Sequence, residues 1–172
     1  MLQIIQSVKV KHYSLVNELE FRAFIRSAKI AREFSFLPIQ KFKSGKKVFL
    51  LVQEKSLYFN KLFNRENEKI IGYCIVEDFR EMPSEIKDQA NIIFKIPCKI
   101  LNEYPIIISD FVIKKDYRGK GYGRRFAEYI IRNIYKNASI SLQADEGGLF
   151  FWPKMGFKML QNQQGIMILN KS

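Results

Sequence analysis

Arg118-Gly119-Lys120-Gly121-Tyr122-Gly123 is the stretch of this chain whose composition most clearly implies chemistry. A helix leaves the N–H groups of its first turn without intrahelical partners, and its dipole adds positive potential there. Glycines at alternate positions let the chain curl so that such groups converge, and they remove side chains that would hold a ligand away. Arg118, Lys120, Arg124 and Arg125 surround them with positive charge. Cations crowded onto glycines in this way suit an oligophosphate.

Two familiar phosphate loops do not fit. A dinucleotide turn has Gly-x-Gly-x-x-Gly early in its unit and an acidic residue about 20 positions on. The spacing here is Gly-x-Gly-x-Gly, past the middle of the chain. A P-loop needs Gly-x-x-x-x-Gly-Lys-Ser/Thr, which is absent. A basic turn that does no more than cap a helix would also carry these glycines.

The flanking elements decide whether the turn can present its amides. Ile106 to Ile113 reads as a central strand ahead of it. From Tyr122 to Lys136, Ala127, Ile130, Ile131 and Ile134 fall on one helical face, with Glu128 and Arg132 together on the exposed side. Alternation along the strand puts Asp110 on the face of Val112 and Ile108. Further strands are predicted at Leu2 to Val10, Val48 to Val52, Lys69 to Phe79, Ala138 to Ala144 and Ile166 to Leu169. Helices are expected from Tyr13 to Phe34, closed by Pro38, near Ser84 to Phe94, and from Gly147 to Met155, ending at Gly156. Leu57 to Asn67 fits a hairpin arm or a short helix equally. Interleaved strands and helices make the fold α/β or mixed α+β. With no repeat and no break in composition, residues 1–172 read as one domain.

Composition bounds the partners. Apolar residues are 47% and charged residues 27%, a globular mixture. Twenty-nine Lys and Arg against seventeen Asp and Glu leave +12, which favours anionic partners: a phosphorylated cofactor, nucleic acid, an acidic protein face or an anionic membrane. Cys74 and Cys98 lie in apolar settings and are expected as buried free thiols. With His12 as the single histidine, soft ligands are too few for a zinc site, and no metal is expected. No secretory signal pattern is present, and no apolar run nears the roughly 20 residues that span a bilayer. A cytoplasmic protein without membrane attachment, monomeric or homodimeric, is the expectation.

At the glycine turn the sequence resembles the GNAT acetyltransferase superfamily, whose signature is Arg/Gln-x-x-Gly-x-Gly/Ala between a central strand and a helix. Arg118-Gly119-Lys120-Gly121-Tyr122-Gly123 has every fixed position. Downstream, Phe151-Trp152-Pro153-Lys154-Met155-Gly156-Phe157 is similar to the family's Phe-Tyr-x-x-x-Gly-Phe segment. The resemblance covers Pro105 to Phe157. It implies a central, mostly antiparallel twisted sheet flanked by helices, and transfer of an acetyl or other acyl group from acetyl-CoA to a primary amine by direct attack. It places the pyrophosphate on Arg118, Gly119, Lys120, Gly121, Tyr122, Gly123 and Arg124, and the pantetheine arm along Phe111, Val112 and Ile113. A strand N–H near Val112 would polarise the thioester carbonyl.

An amine must lose a proton to attack. Asp110 is the nearest carboxyl to the implied thioester and the first candidate base, ahead of Glu103, Glu33 and Asp145. Asp110 would equally serve as a structural carboxylate that accepts backbone hydrogen bonds. The family's tyrosine, which reprotonates the leaving thiolate, is Trp152 here, and an indole cannot supply that proton. Either water or another hydroxyl, with Tyr122 and Tyr117 as candidate acids, then serves, or the site is slow; Trp152 also reads as core packing. Asp145 stands where the family has a helpful Asn, and Glu146-Gly147-Gly148 after it suggest an open loop. The acceptor could be a small amine, a peptide or protein amine, or an aminoacyl-tRNA, and the charge favours acidic or polyanionic ones. Two other functions fit the same residues: a CoA-binding module with little or no turnover, and a basic nucleic-acid- or tRNA-associated protein.

Overall fold

The computed structural model describes residues 8–14, 46–54, 68–163 and 165–170. Strands β1 (Val8–Ser14), β2 (Lys46–Glu54), β3 (Glu68–Asp78), β4 (Ile106–Ile113), β5 (Ile140–Gln143), β6 (Lys158–Met159) and β7 (Ile166–Leu169) form one sheet in the order β1-β2-β3-β4-β5-β7-β6. Every neighbouring pair is antiparallel except β4 and β5. A parallel pair needs a crossover. It is supplied by the glycine turn and helix α4, once α1 (Ser84–Lys87), α2 (Ala90–Phe94) and α3 (Cys98–Glu103) have been passed; α4 is Tyr122–Tyr129 and α5 is Glu146–Phe151. No helix among the described residues is long and apolar enough to cross a membrane.

The apolar run Ile106–Ile108 that begins β4 follows from burial on both faces. Ile106, Ile108 and Ile113 join Phe49, Cys74 and Leu142 beneath Phe126 and Ala127 of α4 and Ile130 just after it. Ile107 points the other way, into a second cluster with Phe79, Phe94, Leu101 and Tyr104 around α1 to α3.

Several expectations shift. The first strand runs Val8–Ser14 and so takes in the first residues expected as helix. Residues 1–7, the rest of that helix with Glu33 and Pro38, and the 57–67 segment lie outside the described residues. The single helix expected near Ser84 to Phe94 is two short ones, and α3 and the two-residue β6 were not foreseen. The helix after the turn is α-helical only through Tyr129; Ile130–Ile134 winds as a wider π turn. That widening rotates the apolar face, so Ala127 and Ile130 are buried but Ile134 is 38% exposed. Glu128 does not pair forward with Arg132. Its Oε1 accepts from Arg124 Nε at 3.0 Å, one turn back.

Candidate active site at the split between β4 and β5

The site is built on an interruption in β4. Asp110 pairs with Ile75 and Ile108 with Val76, so Ser109 is an extra residue between them. Such a bulge bends a strand and changes which way its side chains point. Asp110 therefore shares a face with Val112 but not with Ile108, which lies in the α4-side core. Ser109 Oγ reaches the Ile75 carbonyl at 3.4 Å. Parallel pairing with β5 also stops here: its last pair is Ile108 with Leu142. Beyond Ile108, no strand among the described residues lies along the β5 side of β4.

Main-chain direction along that edge follows from the β3 ladder. Lys114 N–H donates to the Ile71 carbonyl at 2.9 Å. Antiparallel partners alternate between bonded and non-bonded pairs, so Val112 bonds back to Tyr73. Phe111 and Ile113 turn their main-chain groups to the split. The Ile113 carbonyl accepts from Arg118 Nε there at 2.8 Å, which ties the first residue of the motif to the end of the strand. The amides that face the split near Val112 are those of Phe111 and Ile113.

The turn itself is open. Gly119 has φ +73° and Gly121 φ +79°, and a Cβ on either would meet none of the described residues within 4 Å. Both glycines, with Arg118, Lys120, Arg124 and Arg125, are exposed. Gly121 is the N-cap of α4 and provides no side-chain cap; the first helical bond is Arg125 N–H to the Gly121 carbonyl at 3.1 Å. Among the described residues, the N–H groups from Gly119 to Arg124 have no backbone partner. Gly123 lies closer to the fold: a Cβ there would be 3.4 Å from Ile113 and 3.6 Å from Phe151. Lys120 Nζ bonds the Asp116 carbonyl at 2.8 Å, and Arg124 is held by Glu128, so both heads are restrained beside the turn.

The acetyltransferase (GNAT) family model matches residues 22–157. The chain belongs to that family. A sequence search of the curated proteins finds no match. Among solved structures, a GNAT-family acetyltransferase from Staphylococcus aureus MU50 is 12% identical, with TM-score 0.52 over 96% of this chain and 99% of that one. A tyrosine-to-phenylalanine mutant of KacT is 13% identical, with TM-score 0.51 over 95% of each chain. A KacTA–DNA complex gives 12% and 0.51 over 95% of this chain and 92% of that one. At these identities the likeness is one of fold.

The remaining predicted residues of this GNAT chain separate by location. Tyr122 opens α4, its ring 6.0 Å from that of Tyr117, so both belong to the turn. Asp110 is half-buried, and its charge is felt by Tyr73 on the same face of the sheet. Burial foremost, then Asp110, then Cys74, pushes the Tyr73 hydroxyl well above the usual phenol range. Tyr73 was missed from sequence, because its place beside Asp110 depends on the register of β3 against β4. Asp145 caps α5, accepting from Gly148 N–H at 2.7 Å. The expected open loop at Glu146-Gly147-Gly148 is instead the first turn of a helix, since the Asp145 carboxylate satisfies an amide that an open loop would leave to water. Glu103 lies in α3, beside a groove lined by Pro97, Ile100 and Leu160, apart from the turn. Trp152 is 5% exposed, with ring centroids 5.1 Å from Phe111, 4.9 Å from Phe151 and 5.1 Å from Phe157. Cys74 is buried, whereas Cys98 is only half-buried, its Sγ 3.7 Å from the Lys87 carbonyl.

Proposed function

We propose that this chain is an N-acyltransferase that moves an acetyl (acyl) group from acetyl-CoA to a primary amine. The observation that carries the reading is the run of amides from Gly119 to Arg124 that lack a backbone partner among the described residues, on a largely exposed turn that opens α4 beside the stretch of β4 that β5 does not pair. A diphosphate fits such a cradle because its oxygens need convergent N–H donors and no intervening side chains. Arg118, Lys120 and Arg124 add charge, and Ile113 and Phe111 offer edge amides to an extended amide-bearing arm. Acetyl-CoA bound there supplies an activated thioester.

Asp110, directly or through water, takes a proton from the acceptor amine, and holding amine and acyl carbon together does much of the remaining work. The Phe111 amide is the donor assigned to the acyl carbonyl, because Val112 is committed to β3. Tyr122 stands at the phosphate end of this arrangement, so thiolate protonation is assigned to solvent. Acidic or polyanionic acceptors suit the +12 charge.

The test is thiol release from acetyl-CoA against a panel of amines, with CoA affinity measured by calorimetry. Acceptor-dependent thiol release establishes the transferase. Tight CoA binding without it leaves a CoA-binding module, a reading that Trp152 at the family's tyrosine position favours. Binding of tRNA or ATP but not of CoA would overturn both.

A further inference from the structure

Trp152 is buried as a side chain but not satisfied as a hydrogen-bond donor. An indole has one polar group, the Nε1–H, and it can only donate. Among the described residues that N–H has no partner, yet none of their buried side-chain nitrogens and oxygens lacks one. Nε1 therefore keeps some exposure to solvent although the residue as a whole is buried. The rest of the ring is fixed edge-on against Phe111, Phe151 and Phe157.

The ring's position says where its N–H edge lies. Phe111 belongs to the stretch of β4 beyond its last pair with β5, Ile108 with Leu142. On its other flank, Trp152 Cδ1, bonded to Nε1, would be 3.2 Å from a Cβ on Gly148, in the helix that follows β5. The indole thus bridges the split, and its N–H edge lies toward the end of β5. Asp145 Oδ1 accepts from Gly148 N–H, and among the described residues no hydrogen bond joins Asp145 to the indole.

We propose that Trp152 Nε1–H donates a hydrogen bond to the sulfur of the acyl donor. The inference rests on the transferase reading. As the amine forms the new C–N bond and the C–S bond breaks, Trp152 steadies the electron pair that settles on sulfur. The indole keeps its proton. The amine's proton leaves through Asp110 or water, and the thiolate takes one from solvent.

Trp152 is the only tryptophan in the chain, so its fluorescence reports on this place alone. The experiment titrates CoA and desulfo-CoA, which keeps the phosphates and the arm but lacks sulfur, into wild type, Trp152→Phe and Trp152→Tyr. Fluorescence follows the wild type and calorimetry follows all three. Wild type should show a fluorescence change and bind CoA about three- to tenfold more tightly than desulfo-CoA. Trp152→Phe should bind the two equally. Trp152→Tyr should restore the preference and add to the rate profile an alkaline limb that wild type lacks. Equal binding of the two ligands by wild type overturns the proposal even if Trp152→Phe does not fold, as does a preference that survives in Trp152→Phe. Binding of neither ligand by wild type removes the transferase reading along with it.

Discussion

A Cβ built on Gly72 of β3 would stand 2.6 Å from Cδ1 of Ile113 and 2.8 Å from the Val112 carbonyl oxygen. The two strands can lie this close only because β3 carries no side chain there. Gly72→Ala should lower stability by about 1–3 kcal/mol, as overpacked sites do, seen as a lower Tm. It should also weaken CoA binding, because Ile113 is tied to Arg118. An unchanged Tm would mean that β3 can shift without cost.

Asp145 should matter for stability rather than for proton transfer. Asp145→Ala removes the cap on Gly148 N–H and should cost about 1 kcal/mol in urea unfolding. Asp145→Asn, which keeps an oxygen acceptor, should lose much less.

Gly121→Glu should leave a folded chain that no longer binds CoA. The site has room for a side chain, so the fold suffers only the strain of a left-handed residue, about 1–2 kcal/mol. The carboxylate would stand where phosphate belongs and raise Kd by about two orders of magnitude or more. Calorimetry measures the affinity and circular dichroism checks the fold.

Asp110→Asn should lower kcat by about 10²–10⁴-fold, the range for a positioned base. It should also remove the rise in rate from acid pH toward neutrality. A variant that is slower but keeps the wild-type pH profile would make Asp110 a structural carboxylate.

Alkaline pH should destabilise the fold through two groups. Burial, then the Asp110 charge, holds the Cys74 thiol well above its ordinary range, and the Tyr73 hydroxyl is raised by burial, Asp110 and Cys74. The unfolded chain therefore releases these protons at lower pH than the folded one, and stability falls as pH rises. The contribution starts to fall as the unfolded chain's thiol ionises around its free pKa of about 8.5, and is lost progressively above it. Tm measured from pH 8 to 11 should decline, and Cys74→Ala should make the decline shallower.

The chain's own chemistry made parts of this site legible. Ile106–Ile113 and Ile166–Leu169 were readable to the residue, because isoleucine-rich runs too short for a helix and bounded by turn residues admit few other readings. The glycine turn was legible because its residue types follow from φ values that few other residues adopt. Ser109 was not. A bulge is set by how two strands meet, and without it the facing of Asp110 came out wrong relative to Ile108. The π turn at Ile130–Ile134 escaped for a similar reason: the apolar residues keep helical spacing while the backbone does not. Tyr73 and the Trp152 N–H edge depend on contacts between segments far apart in sequence, which spacing alone does not encode.

The clasp on the diphosphate can be watched atom by atom. Amide resonances of a ¹⁵N-labelled chain, followed as CoA is added, should show Gly119, Gly121, Gly123 and their neighbours through Arg124 moving first and furthest, with Phe111 and Ile113 following. Saturable CoA binding that leaves those glycine amides unmoved would contradict the account.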